Sequence, residues 1–243
     1  TKLIALMSTD YAWVDIKKAR DLGITVTNVP GYATESVAEH TFGLIISVLK
    51  NITKADKSVR NGEWVKEPFK GSELKGKILG IIGLGRIGSR VAEIPHGFGM
   101  EVIANDIKPR SISGVKMVES DELLKRSDIV TLHCNLNPTS EGLIDEDKLN
   151  QMKPSAILIN TSNGKVVDTE ALVKALKEKR IAGAGIDVLP KRPGKNDPLL
   201  QLDNVVITPE IAFNTSEALM RRVDICIDNI EAFIKGKPQN VVN

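Results

Sequence analysis

Two patterns of apolar and polar residues follow each other along most of the chain. From Ile78 onward, short apolar runs are separated by stretches whose apolar residues recur at helical spacing. The runs predict strands at 77–82, 101–105, 128–132, 155–160, 181–186 and 204–207, and the stretches predict helices at 86–93, 121–126, 145–151 and 169–179. Asp145 and Asp168 are placed to cap two of these helices. The pattern predicts an α/β fold with a doubly wound parallel sheet covered by helices.

The chain before and after this region has a different pattern. Strands are predicted at 3–7 and 24–27, with a helix at 14–22 between them. A single long helix is predicted from Thr34 or Ser36 to about Arg60, and a last amphipathic helix at 216–234, closed by Gly236 and Pro238. The long helix exceeds what one domain face usually needs, so it fits either a core helix or a homodimer interface.

Composition narrows the function classes. Apolar residues make up 42% of the chain, charged residues 26%, and the net charge is only +2, which lacks the basic excess of a nucleic-acid binder. The longest apolar run, 42–49, is too short to cross a bilayer, and the first residues do not resemble a signal peptide. Cys134 and Cys226 have neither disulfide nor metal-ligand spacing. We expect a soluble cytoplasmic protein that binds neither nucleic acid nor membranes.

A glycine-rich turn carries the first chemical signal. The predicted strand at 77–82 runs directly into the sequence Gly83-Leu84-Gly85-Arg86-Ile87-Gly88, which opens a predicted helix. In this context Gly83 permits the tight turn, Gly85 lets backbone amides approach a pyrophosphate, and Gly88 allows close packing of helix and strand. Arg86 and Ile87 lie in the first helical turn, whose free N–H groups favour phosphate. The turn predicts a dinucleotide site.

An acidic residue follows the next predicted strand. Asp106 stands where an acceptor for the adenosine ribose hydroxyls belongs, and its charge would repel the 2′-phosphate of NADP. Lys108 and Arg110 follow closely and would weaken that repulsion. The order of strand, turn, helix, strand and acid favours NAD over NADP.

Further motifs point to one family. They are the segments 29–39, 97–100, 142–144, 152–154, 183–188 and 208–209. Together with the glycine turn they resemble the D-isomer-specific 2-hydroxyacid dehydrogenases, and the resemblance covers essentially the whole chain. It implies an NAD-dependent oxidoreductase that transfers hydride between NAD(H) and a 2-hydroxy or 2-keto acid. It also implies that Cys134, Thr161 and Asp187 lie at the cofactor.

The resemblance implies a domain arrangement. In that family a nucleotide domain is inserted into a flavodoxin-like substrate domain, and substrate binds in the cleft between them. The corresponding parts here are a partial substrate domain at 1–35, an NAD-binding Rossmann domain at 36–212 and a C-terminal helix at 213–243 that returns to the substrate domain. The family's first strands have no counterpart before Thr1, so we expect an incomplete substrate domain, either in a shortened chain or in a sequence that omits a segment.

Three catalytic positions of the family carry other residues here. Asn163 stands in the stretch Asn-Thr-Ser-Asn-Gly where the family has Arg, Arg192 stands before a proline where it has Glu, and Glu210 follows Thr-Pro where it has His. The cation that orients a keto acid is therefore absent, and the usual proton donor is replaced by a carboxylate. Arg192 and Glu210 fit either a charge-reversed functional pair or a structural ion pair.

Further replacements fall at the expected substrate site. Asp10 occupies a common glycine position in a loop whose amides hold the substrate carboxylate in the family, Trp13 would fill space there, and Phe213 replaces another common glycine. Because the replacements concentrate on the substrate side, we expect a site repurposed by evolution or by protein engineering. The first hypothesis is an impaired dehydrogenase. The alternatives are a non-catalytic NAD-binding protein, and a ligand-binding or general-base site in which Glu210 acts with Trp13 and Phe213.

Overall fold

The computed structural model describes residues 1–108 and 110–243, which form two compact units. One unit comprises 37–212, and the other comprises 1–36 together with 213–243. In chain order the strands are β1 Leu3–Ala5, β2 Thr25–Thr27, β3 Ile78–Ile82, β4 Glu101–Asn105, β5 Val115–Met117, β6 Ile129–Leu132, β7 Ile157–Asn160, β8 Gly183–Ile186 and β9 Val205–Ile207. The helices are α1 Ile16–Asp21, α2 Thr34–Leu49, α3 Ile52–Arg60, α4 Arg86–Glu93, α5 Ser120–Arg126, α6 Glu146–Gln151, α7 Thr169–Lys177 and α8 Ser216–Ile234. Short 3-10 helices lie at Glu67–Phe69, Ile94–Phe98, Gly164–Val166 and Pro198–Gln201.

The unit of residues 37–212 is built on a parallel sheet with the strand order β5-β4-β3-β6-β7-β8-β9. The chain winds outward from β3 in one direction and from β6 in the other, so the sheet is doubly wound. The predicted α/β Rossmann fold is confirmed. In such sheets ligands bind beyond the carboxyl ends of the two central strands, where the order reverses. That point lies just after Ile82 and Leu132.

Two apolar clusters cover the two faces of this sheet. Ile81 of β3 packs in the cluster that contains Ile45 of α2, whereas Ile82 packs in the cluster that contains Leu124 of α5 and Leu172 of α7. Adjacent residues of one strand point to opposite faces, so a strand covered by helices on both sides is apolar at every position. This double burial explains the continuous apolar runs in the sequence.

Most of the predicted elements of this unit are present, with ends shifted by one or two residues. Asp145 and Asp168 cap α6 and α7, as predicted, because their carboxylates accept from backbone N–H groups of the first helical turn. The prediction missed β5, an edge strand of three residues with the charged Lys116 at its centre. A strand this short leaves no periodic pattern to detect.

The prediction of one long helix from Thr34 or Ser36 to Arg60 is wrong. The chain forms α2 and α3, and Asn51 between them adopts the left-handed conformation with φ 55°. Asparagine tolerates this conformation better than most residues, and one such residue ends the helical hydrogen-bond pattern. Because the predicted long helix is not formed, its length no longer supports a dimer interface.

The unit of 1–36 and 213–243 contains β1 and β2 as a two-stranded parallel sheet, with α1 and α8. Leu6, Ala19 and Val26 form its small apolar cluster. The observed α8 has the predicted bounds, and Gly236 follows its last turn with φ 72°. The described part of the chain contains no helix that is long and apolar enough to cross a membrane.

Candidate functional site

The glycine turn follows β3 at the reversal point of the sheet. Gly83 has φ 95°, and a Cβ atom there would lie 2.8 Å from the backbone nitrogen of Cys134. A Cβ on Gly88 would lie 1.9 Å from the carbonyl oxygen of Gly83, so α4 passes closer to the turn than any side chain allows. These two glycines are required by the protein's own packing.

Gly85 differs from these two glycines, because a Cβ there would meet no atom within 4 Å. It is the N-cap residue of α4, and no side chain caps the helix within the described residues. Arg86 and Ile87 form the first turn, which has free N–H groups and the positive end of the helix dipole. Open space in front of uncapped amides fits a phosphate group.

Asp106 lies directly after β4 and turns its carboxylate back to the glycine turn. Its Oδ2 atom accepts a 2.6 Å hydrogen bond from the N–H of Leu84, and Oδ1 accepts a 2.8 Å bond from the N–H of Lys108. The Nε atom of Arg110 lies 3.9 Å from Oδ2. The acid is thus oriented beside the turn, and one of the two cations anticipated from the sequence is adjacent to it.

Two other proposed cofactor residues follow strands at the same edge of the sheet. Cys134 comes after β6, and burial raises the pKa of its thiol, with Asp106 adding to the effect, so the thiol is protonated at neutral pH. Thr161 comes after β7, is buried, and its hydroxyl lies 3.1 Å from the hydroxyl of Thr41 on α2. Both positions are therefore neutral and fixed by their surroundings.

Asp187 follows β8 and is almost fully buried. Its carboxylate accepts from the hydroxyl of Thr208 at 2.5 Å and from the N–H groups of Ile211 and Ala212 at 2.9 and 3.0 Å. The Nε2 atom of His40 lies 3.4 Å from it. Burial alone would raise the pKa of Asp187, but these hydrogen bonds outweigh burial and lower it. Asp187 is therefore a fixed buried anion.

The residues at the three replaced catalytic positions all lie in the unit of 37–212. Asn163 caps the 3-10 helix Gly164–Val166, and its Oδ1 atom accepts a 3.0 Å hydrogen bond from the N–H of Lys165. Glu210 is exposed and has φ 56°, while its N–H donates to the carbonyl of Asp187 at 2.9 Å. Arg192 is exposed. The structural ion pair considered for Arg192 and Glu210 is not formed among the described residues.

The other three pocket candidates lie in the unit of 1–36 and 213–243. The Oδ1 atom of Asp10 accepts a 2.9 Å hydrogen bond from the N–H of Ala12, so this carboxylate occupies a backbone amide of its own loop. Trp13 is 70% exposed. Phe213 is half-buried and makes an edge contact with Tyr32, with the ring centroids 6.4 Å apart. Of the two aromatic faces anticipated for a ligand, Trp13 is the open one.

A family model described as D-isomer specific 2-hydroxyacid dehydrogenase, NAD binding domain, matches residues 42–212. The chain belongs to this family. Glyoxylate reductase of Thermococcus litoralis is 44% identical over 254 residues, which span 100% of this chain and 77% of that protein. The chain therefore lies well within the range of sequences that share the dehydrogenase fold.

Comparison with solved structures indicates the same family. An acyclic imino acid reductase in complex with NADPH and D-Arg has a TM-score of 0.93 at 40% identity, covering 100% of this chain and 78% of that one. A D-isomer specific 2-hydroxyacid dehydrogenase from Lactobacillus delbrueckii ssp. bulgaricus, in NAD complexed form, has a TM-score of 0.89 at 34% identity, covering 100% and 79%. NAD is the cofactor of the matched domain, and the uncapped first turn of α4 beside Gly85 fits its pyrophosphate.

Part of the polar network around Asp187 was not predicted from the sequence. His40 of α2 lies 3.0 Å from the Thr208 hydroxyl as well as near Asp187. The two residues are 168 positions apart, so no local motif links them. The Thr-Pro pair at 208–209 marks the position of Glu210 in the family pattern, but it gives no local sign that Thr208 hydrogen-bonds to Asp187.

Proposed function

We propose that this chain binds NAD(H) as a D-2-hydroxyacid dehydrogenase scaffold and that its reduction of 2-keto acids is weak or absent. The observation that carries the proposal is the state of Asn163. Its carboxamide is neutral and caps a turn through Lys165, so it offers no cation to a substrate carboxylate. Losing the bidentate guanidinium removes the group that orients a keto acid for hydride transfer.

The second support is the replacement of the family's histidine by Glu210. Hydride transfer to a ketone produces an alkoxide, which must take a proton from the protein. Glu210 places an exposed glutamate side chain where the family has the histidine that supplies this proton. Removing a positioned general acid costs about 10²- to 10⁴-fold in rate, and losing the orienting cation lowers the rate further.

Cofactor choice follows from Asp106. Both of its oxygens accept from backbone N–H groups, so the carboxylate stays beside the glycine turn where a ribose hydroxyl pair would bind. We propose that NADH binds more tightly than NADPH. Arg110 offsets part of the negative charge of Asp106, so we expect NADPH to bind more weakly than NADH but still to bind.

A second candidate function is a ligand-binding or general-base site on the same scaffold, and the open face of Trp13 favours it. An exposed tryptophan can stack on a flat ligand, and a glutamate side chain such as Glu210 is a common general base. Glu210→Gln would abolish proton abstraction and leave NADH affinity unchanged. A non-catalytic NAD-binding protein would show neither proton abstraction nor ketone reduction.

We also propose that the protein forms a homodimer, and exposed apolar side chains on and after α3 support this. Ile52 and Val59 of α3 are exposed, and Trp64 just beyond the helix is 89% exposed. Exposed large apolar side chains close together in the sequence are a common feature of interfaces between copies. Light scattering of the protein and of its Trp64→Ser variant tests this, because a monomeric wild-type chain contradicts it.

The main experiment measures binding and turnover separately. NADH binding is measured by calorimetry, and NADH oxidation is followed with glyoxylate, hydroxypyruvate and pyruvate. We expect binding without efficient turnover. A turnover near 10 s⁻¹, the usual enzyme median, with any of the three acids would overturn the proposal of impairment.

A further inference from the structure

Two buried asparagines connect α8 to a distant loop in the unit of 1–36 and 213–243. Asn229 is fully buried on α8, and its Nδ2 atom donates a 2.8 Å hydrogen bond to the backbone carbonyl of Asn28. Its Oδ1 atom accepts a 2.8 Å bond from the Nδ2 atom of Asn240. The N–H of Asn28 donates to the carbonyl of Asn240 at 3.1 Å. The backbone of Asn28 is therefore held on both sides.

Asn28 passes this restraint to the loop. Its own side chain is buried, and the Nδ2 atom donates a 2.8 Å hydrogen bond to the carbonyl of Thr9. The next residue strengthens the connection, because the N–H of Val29 donates to the carbonyl of Ser8 at 3.1 Å and the hydroxyl of Thr9 donates to the carbonyl of Val29 at 3.1 Å. The start of the loop is thus tied to Asn28 and Val29.

The rest of the loop is held by its own atoms. The hydroxyl of Ser8 donates to the carbonyl of Asp10, the carboxylate of Asp10 accepts from the N–H of Ala12, and the N–H of Val14 donates to the carbonyl of Tyr11. These bonds set the shape of residues 8–13 but not their position. Position depends on the bonds at Ser8 and Thr9.

We propose that Asn229 is a positioning residue that acts through Asn28 to hold the loop of residues 8–13 in place for a ligand. Burying an amide is costly unless its groups are hydrogen-bonded, and an apolar residue would fill the same space without that requirement. The hydrogen bonds of the Asn229 amide fix the position of Asn28, which apolar packing alone would not do. The role of the loop in ligand binding rests on the proposed function, but its restraint by Asn229 does not.

The experiment uses Trp13 as a reporter of loop motion. The chain has two tryptophans, so a Trp64→Phe background leaves Trp13 alone. In this background we compare Asn229→Ala, Asn28→Ala and the double variant by time-resolved fluorescence anisotropy. Each single variant should increase the fast-motion amplitude of Trp13 about twofold on the nanosecond timescale. The double variant should add nothing further, because both changes break the same connection.

Cys226→Ala is the matched control. Cys226 is buried on α8 about one turn before Asn229 and takes no part in the asparagine connection. It should lower the denaturation midpoint to a similar degree without releasing Trp13. If the control releases Trp13 equally, or if Asn229→Ala leaves Trp13 unchanged, the positioning role is overturned. If Asn229→Ala does not fold, Asn28→Ser removes the same donor to Thr9 at a position outside any helix and must release Trp13.

Ligand binding separates this inference from the proposed function. Glyoxylate is titrated into the NAD⁺-loaded protein by calorimetry, and we expect the asparagine variants to bind it about tenfold more weakly than the Cys226→Ala control. If Trp13 is released but glyoxylate affinity is unchanged, the loop is positioned by Asn229 and does not contact this ligand. That result would refute the loop's place in the proposed function and support its restraint.

Discussion

The carboxylate of Asp106 accepts a 2.6 Å hydrogen bond from the backbone N–H of Leu84, inside the glycine turn. The acid and the turn come from different strands, β4 and β3, which are neighbours in the sheet. The bond therefore fixes the acid relative to the amides that receive the pyrophosphate. It also means that any change of the acid alters both the charge and the geometry of the turn.

Replacing Asp106 with Ser should shift cofactor choice toward NADPH. The change removes the negative charge that repels a 2′-phosphate and leaves Arg110 free to attract it. We expect the ratio of NADPH to NADH affinity to rise about tenfold or more, the effect of one or two charge-assisted hydrogen bonds. Calorimetric titration of both cofactors measures the ratio.

The matched control is Asp168→Ser, which also removes an acid from the same unit but only at the cap of α7. Serine is itself a good cap, so this variant should keep the wild-type cofactor ratio. An unchanged ratio in Asp106→Ser would show that the acid does not select the cofactor.

Two alanine substitutions in the glycine turn should separate stability from binding. In Gly88→Ala the new methyl group would lie 1.9 Å from the carbonyl of Gly83, so the helix must move and we expect a loss of stability of several kcal/mol. In Gly85→Ala the methyl group meets no protein atom, so the denaturation midpoint should be nearly that of wild type. NADH affinity should fall in both variants. In Gly88→Ala the helix that receives the phosphates is displaced, and in Gly85→Ala the methyl group enters the space in front of α4.

Gly194→Ala serves as the control, since its methyl group also meets nothing and Gly194 lies far along the chain from the turn. It should change neither quantity by much. Wild-type NADH affinity in Gly85→Ala, measured by calorimetry beside thermal unfolding, would mean that the cofactor does not approach this part of the turn.

Restoring the family's catalytic residues should restore ketone reduction. The triple variant Asn163→Arg, Arg192→Glu and Glu210→His returns the cation, the partner and the proton donor. Glu210 has a positive φ, which histidine tolerates better than most residues, so we expect the backbone to accept the change. Turnover of glyoxylate with NADH should rise about 10²-fold or more, the usual contribution of a general acid.

Asn163→Arg alone separates orientation from proton transfer. It should lower the KM for glyoxylate more than it raises kcat, and it should cost about 1 kcal/mol of stability because the cap at Lys165 is lost. A triple variant that folds, binds NADH and still does not reduce glyoxylate would place the defect outside these three positions.

The sequence predicted the parts of the fold that depend on local pattern. The strands of 37–212 other than β5, the caps Asp145 and Asp168 and the full extent of α8 follow from periodicity and capping chemistry, and these are present. The break at Asn51 was missed because apolar positions continue at helical spacing on both sides of it, and one left-handed residue leaves no trace in that pattern. The left-handed conformation of Asn51 alone divides the predicted helix into α2 and α3.

The candidate site shows the same division between local and distant effects. The tight packing at Gly83 and Gly88 and the place of Asp106 beside them follow from position within one motif. The bonds of His40 and Thr208 around Asp187 were not found, since they join three elements far apart in the chain. The opposite charges of Arg192 and Glu210 suggested an ion pair, but the described residues do not form it. Both side chains are exposed, and opposite charge alone does not bring exposed side chains into contact.

His133 should give the folded protein an acid-sensitive stability. Its Nδ1 atom is shielded from solvent and has no hydrogen-bond partner among the described residues, and burial lowers the pKa of the ring from 6.5 to about 3. The unfolded chain therefore binds a proton that the folded chain does not between these two values. Stability is full above pH 6.5 and decreases as the pH falls toward 3, with a slope of at most about 1.4 kcal/mol per pH unit from this group.

Urea denaturation across this pH range tests the assignment with two variants. His133→Leu removes the titrating group and should flatten the acid decline, because neither state then binds the proton. His96→Leu should keep the decline, since His96 is exposed and its ring is not shielded from water. If the wild-type and His133→Leu curves run parallel from pH 6.5 to 3, the acid sensitivity comes from other groups. Asp187 is one such group, because its pKa is lowered in the folded protein and its contribution to stability is lost when the carboxylate is protonated.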